Sequence, residues 1–65
     1  MRVLLLENEE CESGAFWIDA HGYLCYWEGH RDYQREIDAD GGCTATEDEA
    51  ATFGTTLADI RAKLS

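Results

Sequence analysis

Three features of the sequence predict an α+β fold. A short apolar run opens the chain, two β-rich runs flank a His-Gly pair, and two segments with helix-start signals close it. The architecture expected is a small antiparallel three-stranded sheet, with the N-terminal strand as a member or as a fourth strand. Two short C-terminal helices pack on one of its faces. A chain of 65 residues forms one domain, 1–65, and buries only about 60% of the surface its unfolded form exposes.

The run "RVLLLE" (2–7) is too short for a helix of ordinary length and reads as a buried strand. "NEECESG" (8–14) is an acidic connection. "AFWIDA" and "YLCYWE" then flank His21-Gly22, where glycine supplies the positive φ of a tight hairpin turn. His is unusual at the first turn position, so a loop one residue longer is the alternative. With a two-residue turn, Ile18 faces Cys25 and Phe16 faces Trp27. Trp17 then lies across from Tyr26 on the opposite face, and both faces are apolar. Helices can cover one face, and the other needs a second cover or a partner.

"HRDYQREIDAD" (30–40) supports two readings. Tyr33, Arg35 and Ile37 alternate with polar neighbours as in a third strand, while Tyr33 and Ile37 are also a helical i, i+4 pair. The strand is favoured because it would continue the meander, with Gly41-Gly42 ending it. Thr46 with Glu49, and Thr56 with Asp59, have the spacing of capping boxes, so helices are expected over about 47–53 and 57–64. Gly54 separates them, and Leu57, Ile60 and Leu64 form one apolar stripe.

Fourteen Asp and Glu stand against five Lys and Arg, a net charge of −9. Affinity for nucleic acid is built on basic contacts to phosphate, so direct DNA or RNA binding is disfavoured, as is an anionic membrane surface. A basic partner would be attracted. The opening apolar run is short for a signal peptide, and no stretch approaches the roughly 20 apolar residues of a membrane span. Three widely spaced cysteines, an odd number, suit reduced thiols, and a cytoplasmic protein is expected.

Cys11, His21, Cys25, His30 and Cys43 are possible metal ligands, but neither C-x-x-C nor H-x(3–5)-H occurs. Cys25 reads as a small buried hydrophobe beside Ile18, and no metal or cofactor is expected. "DGGCT" lacks the lysine of a phosphate-binding loop. A chain this small offers little depth for a pocket that shifts a pKa, so catalysis is not expected. Ala50, Gly54 and Ile60 resemble the small residue, turn glycine and buried aliphatic of helix-turn-helix domains. Glu47, Asp48 and Glu49 nevertheless precede the core of the first helix, where such a motif carries basic support. A plain helical hairpin is the favoured reading.

The acidic surface remains. If 34–40 is extended, Glu36, Asp38 and Asp40 project on one side at intervals of roughly 6.6–6.8 Å, comparable with successive phosphates along a nucleic-acid strand. Glu28 and Asp32 lie upstream, and Glu47, Asp48 and Glu49 lie just beyond the Gly-Gly pair, where the helix dipole also favours carboxylates. Such an array suits a mimic of a nucleic-acid backbone that docks on a basic groove. A solubilising surface or halophilic adaptation is the plainer alternative. Charges at a rim add little affinity, so a hydrophobic anchor is needed. Trp17 and Tyr26, on the second face of the hairpin, are the candidates, with burial against 2–7 or the helices as the alternative.

As a whole profile, without a shared motif, the chain resembles the very small, acidic anti-CRISPR proteins of phages and mobile elements, in particular inhibitors of type I, including type I-C, surveillance complexes. The resemblance implies a non-enzymatic, monomeric inhibitor acting in the host cytoplasm. It would dock on a DNA-binding subunit of a Cascade-type complex and block target recognition. The rival expectation is a helix-turn-helix-like regulator or an acidic accessory module of a halophilic organism.

Overall fold

The computed structural model describes residues 2–39 and 43–65. The elements run β1 (Val3–Glu7), β2 (Ser13–Ile18), β3 (Leu24–Glu28), α1 (Tyr33–Ala39), β4 (Cys43–Thr44), α2 (Glu47–Thr52) and α3 (Leu57–Leu64). The strands form an antiparallel meander in the order β1-β2-β3-β4. The α+β architecture and the two C-terminal helices packed on one sheet face are as the sequence predicts. The N-terminal strand is a full member of the sheet.

The segment expected as a third strand is a helix. Gly29 (φ +96°) and Asp32 (φ +66°) turn the chain out of the extended conformation after β3, and the Asp32 carbonyl accepts the Arg35 N–H at 3.1 Å. Tyr33 and Ile37 then meet as an i, i+4 pair on the sheet, packed against Ala15, Trp17 and Cys25. The place beside β3 goes to β4, which pairs Thr44 with Cys25 and Cys43 with Tyr26. The expected Gly41-Gly42 turn lies outside the described residues.

The β2–β3 loop is the longer alternative. Ala20, His21 and Gly22 form it, and the Asp19 N–H bonds to the Tyr23 carbonyl at 2.9 Å. The Asp19 carboxylate accepts the N–H groups of His21 and Tyr23, both at 2.9 Å, and Gly22 takes the left-handed position at φ +88°. One extra loop residue reverses every facing relation of β3. Phe16 lies opposite Tyr26, Trp17 opposite Cys25 and Ile18 opposite Leu24. Cys25 therefore lies on the Trp17 face and not beside Ile18.

Two clusters sandwich the sheet. Under α2 and α3, Phe16, Leu24, Ala45, Ala50 and Ile60 are buried, with Leu4, Leu6, Ile18, Tyr26, Phe53, Leu57 and Leu64 around them. Phe16 packs against Tyr26 in a tilted arrangement at 4.9 Å between ring centroids and meets Phe53 edge-on at 6.0 Å. Gly14 is required beneath this group, because a Cβ there would lie 2.5 Å from a Tyr26 ring carbon. Under α1, Ala15, Trp17 and Cys25 are buried, with Val3, Trp27, Tyr33 and Ile37 around them. The indole N–H of Trp27 donates to the Arg31 carbonyl at 2.8 Å.

Candidate acidic docking site

The sequence-level candidates are dispersed by the fold. On α1, Glu36 and Asp38 are separated by roughly 200° around the helix axis, so they form no row on one side. Asp38 accepts a hydrogen bond from Gln34 at 3.1 Å, and Asp40 lies outside the described residues. The phosphate-like spacing expected for this stretch depended on a strand, and the helix removes it. Asp32 occupies the exposed turn before α1.

Two acids of α2 have structural tasks. Thr46 and Glu49 complete a reciprocal capping box, with the Glu49 carboxylate accepting the Thr46 N–H at 2.8 Å and Thr46 Oγ1 accepting the Glu49 N–H at 3.2 Å. Glu47 accepts the Leu57 N–H at 2.8 Å and so satisfies an orphan donor at the start of α3. Asp48 is exposed. The proposed anchors occupy opposite faces of the sheet. Trp17 is 2% exposed beneath α1 and offers no surface to a partner. Tyr26 is half-buried between Phe16 and Phe53.

A different group of acids is brought together. Asn8 organises the β1–β2 loop: its side-chain oxygen Oδ1 accepts the N–H groups of Glu10 and Glu12 at 3.0 and 3.1 Å. Its amide donates to the Glu12 carboxylate at 3.1 Å and to the Thr52 carbonyl at 2.9 Å, which fastens the loop to the end of α2. Glu7, Glu9 and Glu10 thus share an open concavity with Thr52, Phe53 and Gly54. Glu28, at the end of β3, lies at the same end of the sheet, since Gly14 is its partner in register and Leu6 is the partner of Gly14.

The phenol of Tyr26 reports the resulting field. Its pKa is raised above the ordinary value of 10.0, first by burial and then by the carboxylates of Glu28, Glu49 and Glu12. Those acids come from β3, α2 and the β1–β2 loop. Three of the five cationic residues lie toward the other end, while Arg31 follows Glu28 at the acidic end of β3. Arg2 donates to the Ser65 carbonyl at 2.6 Å, Arg61 reaches the Gly22 carbonyl at 3.3 Å, and Lys63 pairs with Asp59 at 3.3 Å. Sequence reasoning marked 8–14 as acidic but did not select it. The signal available was the run of Glu7, Glu9, Glu10 and Glu12 around one Asn.

His30 and Cys25 are held by neighbouring groups. His30 Nε2 lies 2.8 Å from the Leu6 carbonyl oxygen, and the Cys25 thiol donates toward the Asp19 carboxylate at 3.6 Å. The Asp19 pKa is lowered, chiefly by the Tyr23 backbone N–H. Among the described residues no cluster of His, Cys, Asp and Glu is arranged to hold a metal ion, and no helix is long and apolar enough to cross a membrane. Comparison with known proteins matches this chain to no family model, no curated protein and no solved structure.

Proposed function

We propose that this chain is a non-enzymatic inhibitor that binds a basic, nucleic-acid-binding protein surface. Its partner would be a DNA-binding subunit of a Cascade-type CRISPR complex in the host cytoplasm, and its acids would occupy the groove meant for target DNA. The observation that carries this reading is the grouping of Glu7, Glu9 and Glu10 around one open concavity, with Glu28 at the same end of the sheet. A net charge of −9 drives encounter with a basic groove, and the separation of acids from Arg2 and Arg61 orients it. The acidic face of this proposal is the β1–β2 end of the sheet, in place of the row once expected at Glu36, Asp38 and Asp40.

The test is target-DNA binding by a purified type I-C surveillance complex, followed by gel shift with increasing amounts of the protein. The native chain is expected to suppress the shift at near-stoichiometric ratio, less effectively as salt rises. Combining Glu9→Lys, Glu10→Lys and Glu28→Lys is expected to weaken inhibition at least about tenfold. The pair Glu36→Lys and Asp38→Lys on α1 is expected to have a smaller effect. Equal effects would remove the β1–β2 end as the docking face, and unaltered DNA binding with the native chain would remove this partner.

A further inference from the structure

The two edges of the sheet are protected unequally. Among the described residues β4 spans only Cys43–Thr44 and offers a short template for pairing. β1 is a five-residue edge without proline, lysine or bulge. Its hydrogen-bond parity follows from the loops. The Asn8 N–H bonds to the Glu12 carbonyl, and the Gly29 N–H to the Ser13 carbonyl, so the even residues of β1 bond to β2 and the odd ones point outward. Val3, Leu5 and Glu7 each present an N–H and a C=O at the open edge, and no other described segment bonds to them. The Leu5 side chain is 45% exposed, one of two large hydrophobic residues so placed among the described residues.

Resting on the function proposed above, we propose that the β1 edge accepts an extended segment of the basic partner as an added antiparallel strand. Main-chain hydrogen bonds would hold the segment, and alternate side chains would specify it. On the α1 side of the sheet, apolar residues of the segment lie opposite Val3 and Leu5. A lysine or arginine lies opposite Glu7, and the basic residue two positions before it reaches toward Glu9 and Glu10. The segment read from its N-terminus is therefore basic, then apolar, at every second position. Charge decides this occupant over a second copy of the chain. Two copies bring −9 against −9, and self-pairing centred on Leu5 puts Glu7 of each copy opposite Val3 of the other.

The probe is the peptide Lys-Thr-Lys-Thr-Val-Thr-Val, added to the isotope-labelled full chain at low salt and followed by NMR and amide exchange. Its controls are the same peptide N-methylated at both valines, and oligolysine. Exchange at Val3, Leu5 and Glu7 is expected to slow about tenfold or more, and N-methylation to abolish the effect. Leu5→Lys, at an already exposed position, is expected to keep the fold and reduce peptide affinity about tenfold. If the N-methylated peptide binds equally well, or Leu5→Lys changes nothing while oligolysine binds, the edge proposal is overturned and the basic-partner reading stands. Failure of both the peptide and oligolysine to bind overturns both. Dimerisation of the free chain with the same three amides protected assigns the edge to a second copy and overturns the basic segment.

Discussion

The sheet face under α2 and α3 and the face under α1 both bury aromatic and aliphatic side chains, but their covering helices are held in different ways. α2 begins with a reciprocal capping box, α3 begins with the Thr56 hydroxyl accepting the Asp59 N–H at 3.1 Å, and the Glu47 carboxylate joins the two. Each places a residue in the core, Ala50 and Ile60, both with no exposed surface. α1 follows an Asp in the left-handed conformation, none of its residues is buried, and its packing depends on the half-buried Tyr33 and Ile37. Local signals specify the first cover. The second is specified by the apolar face left beneath it, since Trp17 and Cys25 would otherwise meet water.

The sharpest test of that contrast is a pair of truncations. Ile60→Ala is expected to cost ~2–5 kcal/mol by denaturant unfolding, because Ile60 is enclosed and leaves a cavity. Ile37→Ala is expected to cost about 1 kcal/mol, since solvent already reaches the site. Equal costs would show that α1 is as integral a cover as α3. An effect of the same size as that of Ile37→Ala is expected from Thr46→Ala, which removes the capping box of α2 and should cost about 1 kcal/mol in the same measurement. A negligible loss would mean that packing alone holds α2, as it holds α1.

The smallest effect concerns the acidic end. The folded-state pKa of Tyr26 is raised, so its contribution to stability is present below the ordinary value of 10.0 and is lost as pH rises through the raised value. Ultraviolet titration should find a phenol that ionises late and that disappears in Tyr26→Phe. Glu28→Gln and Glu49→Gln should bring that titration back toward the ordinary value, Gln being able to replace Glu in the capping box. An unchanged titration in both variants would leave burial, with Glu12, as the cause.

Much of the frame was legible in consecutive residues. The β1 strand, the hairpin and both C-terminal helices were recoverable from apolar runs, a His-Gly turn and Thr-x-x-Glu/Asp spacings. The segment 33–39 was not, because Tyr33 and Ile37 satisfy both the strand and the helix period, and continuity of the meander favoured the wrong one. The hairpin pairing was open by a single residue. That residue decided whether Trp17 and Tyr26 share a face, and they do not. The candidate site suffered most. The spacing of Glu36 and Asp38 depended entirely on secondary structure, and Glu12, Glu28 and Glu49 belong to three elements with no sequence relation to one another.

The sequence by itself determined the α+β class, the starts of α2 and α3 and the net charge of −9, because each is carried by composition or by groups that bond within a few residues of each other. Only the tertiary structure decided the β2–β3 register, the helix over Tyr33–Ala39 and the gathering of acids around Tyr26. Those outcomes depend on which distant surfaces must be covered and on which side chain each residue meets across the sheet. Neither is expressed in the energy of a short segment alone.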